Sequence, residues 1–277
     1  MTEMLIKEYA EQGKPLDHVL VIDVHSHLGS SPSIYMPSAS KEKEQAILFT
    51  TMLDQVGVDY AIVSMMRGLF TNQLEANLDL ARLMEVHRKL LGYVTYIPSW
   101  QQKSLEIAEQ CFSSSDRFVG IKIHPDVNKY PINGPDYAPM WEYADSKGLL
   151  VLVHTWSQCP YSDPVRLLDI AEKYKNVTVL IGHSGGVEPG VTTAIELSNK
   201  YENMYLDLTG VFLCSGRPLD YFVSQANPDK LLFSSDAAFN SLTWDIGNVL
   251  YARVSEEIKE KVLGLNAQRL LKSFLIR

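Results

Sequence analysis

Eight short apolar runs punctuate the chain, separated by longer stretches in which apolar residues recur every three or four positions. The runs fall at 18–24 (HVLVIDV), 59–65 (DYAIVSM), 90–97 (LLGYVTYI) and 117–123 (RFVGIKI), then at 148–153 (GLLVLV), 177–182 (VTVLIG), 203–208 (NMYLDL) and 230–235 (KLLFSS). Most are rich in Val, Ile, Leu and Tyr without alternation, which predicts strands buried on both faces of a parallel sheet. The stretches between them predict helices. KEKEQAILFTTMLDQVG puts Ile47, Leu48, Met52 and Leu53 on one expected stripe, with Gly57 where a C-cap belongs. NQLEANLDLARLMEVHRKL repeats Leu74, Leu78, Leu80, Leu83 and Met84, and SDPVRLLDIAEKYKN offers an N-cap at Ser162 or Asp163 before Pro164.

Strand followed by helix, eight times over, predicts right-handed parallel crossovers that close into a (β/α)8 TIM barrel. An open doubly wound sheet competes with it, but no GxGxxG loop follows the first run. The expectation is a single domain over 1–277, with SEEIKEKVLGLNAQRLLKSFLIR adding helices beyond the eighth unit. The opening MTEMLIKEYAEQGKPLD is acidic and has no apolar stretch, so it reads as a short surface helix and not as a secretory signal.

Composition narrows the function. The 277 residues suit one α/β barrel, and 46% hydrophobic with 21% charged residues is ordinary for a soluble protein. No apolar run reaches the roughly 18 residues that a membrane span needs. The three cysteines, Cys111, Cys159 and Cys214, lie far apart, which argues against a disulfide framework and for a reducing, cytoplasmic setting. A net charge of −8 opposes a nucleic-acid partner, which calls for a basic stripe. The partner expected is a small-molecule substrate, and nothing in the pattern decides between a monomer and a homo-oligomer.

The histidines fall at telling places. His25 and His27 follow the first run, His124 the fourth, His154 the fifth and His183 the sixth, while Asp236 ends the eighth in LLFSSDAAF. In a barrel all of these converge on the C-terminal mouth, where such folds assemble their sites. The HxH spacing aims both imidazoles to one side of a strand. Two neutral imidazoles side by side suit a divalent metal such as zinc, and His154 and Asp236 can complete the ligand set. A lone strand-end His is ordinarily a hydrogen-bonded core or loop residue, and His18 and His87 are read that way.

The motifs DVHSH, GIKIHP, VLVHT, IGHSGG and LLFSSDAAF, in this order, resemble the amidohydrolase superfamily. Its amidohydrolase-related branch includes aminocarboxymuconate-semialdehyde decarboxylase and several lactone and amide hydrolases. The likeness covers nearly the whole chain. It implies that His25, His27, His154 and Asp236 bind a catalytic metal and that His183 acts on the substrate; by ligand chemistry the expectation is one divalent ion, zinc first and manganese second. In two-metal members the lysine at the place of Lys122 is carboxylated and bridges two ions, so a second metal on Lys122, His154 and His183 is an alternative.

The reaction expected from this set is hydrolysis. The metal lowers the pKa of a bound water, Asp236 takes its proton and His183 polarises the scissile carbonyl of an amide, ester or lactone. The alternative is a metal-dependent decarboxylase of an unsaturated acid, with Arg67 and Lys122 as cations for the carboxylate. Phosphodiester cleavage ranks lower, because KIHPD lacks the Glu that the related deoxyribonuclease branch carries there. A non-catalytic metal-binding module ranks lowest. His124, Trp156, Tyr35, Tyr130 and Tyr161 are candidates for the substrate pocket, and the segments 28–40 and HPDVNKYPINGPDY are candidate lids.

Overall fold

The computed structural model describes residues 5–29, 42–70, 72–237 and 239–271. Tyr35 and most of the 28–40 segment lie outside them. Eight parallel strands run β1 (Ile22–Leu28), β2 (Tyr60–Met65), β3 (Leu90–Thr95), β4 (Phe118–Ile123), β5 (Leu150–His154), β6 (Thr178–Gly182), β7 (Met204–Asp207) and β8 (Leu231–Leu232). They pair in chain order, with helices between them. This is the (β/α)8 TIM barrel that the apolar pattern predicts.

Two differences from that pattern shape the site. The strand predicted at 18–24 runs on to Leu28, so His25 and His27 lie within β1, and the register against β2 shifts between Asp23 and Ser26. The run at 230–235 pairs regularly only at Leu231 and Leu232. Beyond β8 the chain closes the barrel through separate bonds. The Val24 amide donates to the Phe233 carbonyl at 3.1 Å, Asp236 to His25 at 2.8 Å and His27 to Ala237 at 2.5 Å. Asp236 has φ +54°, a left-handed conformation that ends the extended run.

The barrel interior is filled by Ile22, Val24, Ile62, Leu91, Tyr93 and their neighbours, and Ala267 and Leu271 from the C-terminal helices pack into the same cluster. A larger shell of apolar side chains lies between the strands and the surrounding helices. The helix Glu42–Val56 buries Ala46, Phe49 and Leu53. Of the expected stripe, Leu53 and the half-buried Met52 meet the barrel, while Ile47 (55% exposed) and Leu48 (36%) face outward and Ala46 and Phe49 take their place. Gly57 ends this helix at φ +90°, where an added Cβ would stand 2.2 Å from the Leu16 amide nitrogen. Asp163, not Ser162, supplies the cap before Pro164, accepting from the Val165 amide.

HPDVNKYPINGPDY is built into the structure and is not a free flap. It forms the short helix Pro125–Asn128 and the turn Pro135–Tyr137, and the Trp141 indole and the Tyr96 hydroxyl donate to its Ile132 and Asp136 carbonyls.

Candidate metal centre at the barrel mouth

His25 and His27 project from β1 to the same side, with their Nε2 atoms 3.2 Å apart. Asp236 Oδ1 lies 3.1 Å from His27 Nε2 and 3.7 Å from His25 Nε2. Metal–ligand bonds of about 2.0–2.2 Å set neighbouring ligand atoms roughly 3.0–3.5 Å apart; two of the three separations fall in that range and the third is slightly wider, so the group could hold one divalent ion.

The outer hydrogen bonds decide which nitrogens carry protons. His25 Nδ1 donates to Asp207 Oδ2 at 2.6 Å, and His183 Nδ1 donates to the Thr209 carbonyl at 3.3 Å. His27 Nδ1 meets the Ser64 hydroxyl at 2.9 Å, and His154 Nε2 faces Asp126 Oδ2 at 3.5 Å. Outward donation from Nδ1 leaves a lone pair on Nε2 of His25 and of His183, while His27 Nε2 faces the Asp236 carboxylate and His154 Nδ1 faces His183 Nε2. His154 Nδ1 lies 3.0 Å from His183 Nε2. Such a separation suits an N–H···N hydrogen bond in the metal-free protein and equally suits two ligand atoms of one cation.

The electrostatics favour neutral imidazoles and a charged carboxylate. Burial, then the Lys122 charge, holds His25 well below the ordinary histidine value, and burial also lowers His27. Burial and the neighbouring His183 and His154 rings, respectively, hold His154 and His124 well below it. Burial opposes the charge on Asp236, but the His27 hydrogen bond and the surrounding imidazoles outweigh it, so its carboxyl stays well below the usual range. Lys122 is fully buried and donates from Nζ to His25 Nε2 at 2.8 Å. Burial pulls its ammonium down to about 8.

Two of these residues sit on strained backbone. His183 (φ 59°) and Ser184 (φ 45°) begin a left-handed turn that continues through Gly185 and Gly186, and Asp236 is the third such non-glycine residue at the mouth. The turn is held by Ser184 Oγ donating to the Asp207 carbonyl at 2.7 Å and by the Gly185 amide donating to Thr155 Oγ1 at 3.0 Å. Trp156 lies over it, its ring centroid 6.1 Å from that of His183.

Some expected residues are engaged elsewhere. His154 falls outside the tight three-ligand group and stacks on His124 with centroids 3.9 Å apart. His124 also accepts the Val127 amide at 3.4 Å, capping its short helix. Arg67 is bound by Glu42 at 2.7 Å and by Asp79. Tyr130 packs on Tyr137 and accepts the Asp136 amide, and the Tyr161 carbonyl accepts from Ile132. Sequence reasoning missed Asp207, Asp126 and Ser64, which orient the imidazoles. Asp207 had a signal: like the histidines, it stands near the end of an apolar run, the seventh.

The chain belongs to the amidohydrolase family, whose sequence model matches residues 22–272. No curated protein matches it in sequence. Among solved structures it is similar to 2,6-dihydroxybenzoate decarboxylase from Rhizobium, with TM-score 0.71, 16% identity, and 92% of this chain and 99% of that chain covered. It is similar to 5-carboxyvanillate decarboxylase from Novosphingobium aromaticivorans, complexed with manganese and 4-hydroxy-3-methoxy-5-nitrobenzoic acid, with TM-score 0.69, 14% identity, and 92% and 97% covered. A dihydroxybenzoic acid decarboxylase from Polaromonas, with bound manganese and 2-nitroresorcinol, gives TM-score 0.68, 17% identity, and 94% and 100% covered. These likenesses correct the expectation of amide, ester or lactone hydrolysis, since the similar structures are mostly decarboxylases. A cluster of imidazoles and a carboxylate of this kind suits either reaction, so its residues do not by themselves select hydrolysis. Manganese, not zinc, is the metal named with these structures.

Proposed function

We propose that this protein is a metal-dependent decarboxylase of a small aromatic or otherwise unsaturated carboxylic acid. The observation that carries the reading is the convergence of ring nitrogens of His25, His27, His154 and His183 beside the Asp236 carboxylate and the Lys122 ammonium. His25, His27 and Asp236 would hold a divalent metal, and His154 would complete the set through Nδ1. The whole-length likeness to decarboxylases of ring-hydroxylated benzoates supports the substrate class.

When bound, the metal supplies a positive charge that holds a substrate oxygen and draws electron density from the carbon bearing the carboxylate. Lys122 places a second buried cation on the same side, which favours an anionic substrate. The overall change, RCO2− plus H+ giving RH plus CO2, needs one proton at the carbon that loses CO2. His183 is assigned that delivery: it takes up a proton at Nε2 while its Nδ1–H stays on the Thr209 carbonyl and fixes the ring. Asp236 remains ionised and balances the charge of the cations around it. Trp156, beside His183, and His124, stacked on His154, are the ring contacts proposed for a planar substrate.

The 3.0 Å approach of His154 Nδ1 to His183 Nε2 favours one second reading, in which carboxylated Lys122, His154 and His183 hold a further divalent ion. Metal stoichiometry separates one ion from two. For the reaction itself, manganese-loaded protein is incubated with a panel of ring-hydroxylated benzoates and unsaturated acids. Equimolar CO2 and decarboxylated product are expected from at least one member. A protein that keeps its manganese and turns over none of them contradicts the reading.

A further inference from the structure

Asp23, two residues before His25, has no part in the chemistry above, yet it is fully buried and accepts four hydrogen bonds across the closing seam of the barrel. Its Oδ1 accepts from the amides of His25 and Ser235, both at 3.1 Å. Its Oδ2 accepts from the hydroxyls of Ser26 at 2.6 Å and Ser235 at 2.5 Å. Two donors therefore lie on β1, beside the paired histidines, and two on Ser235, the residue before Asp236. Ser235 Oγ also accepts the Ala237 amide at 3.1 Å, so the same contact brackets Asp236 from both sides.

Three backbone bonds, Val24 to Phe233, Asp236 to His25 and His27 to Ala237, also cross the seam, and the Asp23 contacts lie between them. β8 pairs over only two residues, and Asp236 adopts a left-handed conformation, which Asp tolerates better than most residues. On the other flank Ser234 Oγ donates to Asp207, the carboxylate that orients His25. The adjacent serines of FSSD thus tie the Asp236 segment to both neighbouring strands through side chains where the backbone ladder stops.

From this we infer that Asp23 is a positioning residue of the metal centre: by clasping Ser235 to β1 it sets Asp236 Oδ1 against the Nε2 atoms of His25 and His27. The inference rests on the metal reading of that site. It also specifies which replacement survives. An asparagine keeps all four contacts, because its oxygen accepts from the two amides and its NH2 donates to the two hydroxyls, which rotate to accept. An alanine keeps none.

The test is calorimetric titration of Mn2+ into the metal-stripped full-length protein, with thermal midpoints of the metal-free variants recorded alongside. Asp23→Ala is expected to weaken Mn2+ binding about 10–100-fold, and Asp23→Asn by less than about threefold. If Asp23→Ala does not fold, Ser235→Ala keeps the backbone contact and is expected to lose about 3–10-fold. Wild-type affinity in Asp23→Ala or, where that does not fold, in Ser235→Ala, even with a lowered thermal midpoint, makes the clasp a fold element only and overturns the inference. Asp23→Asn as weak as Asp23→Ala overturns it too, by making charge the operative property. A wild-type protein that takes up no Mn2+ removes the metal centre itself, and the inference with it.

Discussion

At the floor of the barrel, Leu20, Ile22 and Tyr60 meet Ala267, Leu270 and Leu271, and the end is sealed by apolar packing. At the mouth, the barrel gathers four imidazoles, the buried Asp207 and half-buried Asp236 carboxylates, and a buried lysine. The floor is satisfied by its own contacts. The mouth crowds ring nitrogens of four histidines against one another, Asp236 and Lys122, and His183, Ser184 and Asp236 hold left-handed backbone conformations. A barrel can carry this because the strain and desolvation at one end are offset by close packing elsewhere.

That contrast can be broken most sharply at the mouth. Asp236→Asn removes the only carboxylate of the three-ligand group, and decarboxylation is expected to fall about a thousandfold or more with the fold retained. Steady-state kinetics with circular dichroism as the folding control reads this, and near-normal turnover would detach Asp236 from the chemistry.

The floor side of the contrast predicts the opposite pattern. Leu91→Ala empties part of the barrel interior on β3, a strand bearing none of the proposed ligands, and is expected to cost about 2–5 kcal/mol of stability. Chemical denaturation measures the loss, and kcat per folded molecule should stay unchanged. A drop in kcat as large as that of Asp236→Asn would mean that the two ends are not separable.

The smallest effect is one of pH. Burial holds Lys122 at about 8, below its ordinary 10.5. A lysine lowered in the folded state penalises folding most below pH 8, and the penalty is relieved as pH rises from about 8 to about 10.5, where the unfolded chain binds more protons. The thermal midpoint of metal-free protein therefore carries a rising component over that window. Lys122→Met should remove it, and an identical pH profile in the variant would show that Lys122 does not titrate there.

Much of the floor was legible in the sequence, because periodicity is a repeated signal. Eight apolar runs gave eight strands, and Gly57 and Asp163 stood at helix ends as their chemistry requires. The mouth was legible in part. His25, His27 and Asp236 stand together because strand-end position alone brings them there. What the pattern did not carry was what each side chain binds on its outer side. Asp207 and Asp126 orient imidazoles from 182 and 28 residues away in the chain, and no local spacing reports such a pairing. Arg67 read as a free cation, yet Glu42 and Asp79 engage it from two different helices. The two-residue β8 was also hidden, since side-chain bonds from Ser234 and Ser235 replace the ladder that KLLFSS suggests. The reaction class was the least legible, because one cradle of imidazoles and a carboxylate serves both hydrolysis and loss of CO2.

The most direct test of the account follows CO2 release from a carboxyl-labelled hydroxybenzoate that the protein turns over. Metal-stripped protein is titrated back with Mn2+ during the measurement. The account predicts no release without metal, a rate that rises with each increment of bound Mn2+, and saturation at one equivalent per chain. Release that survives stripping, or that saturates only at two equivalents, contradicts it.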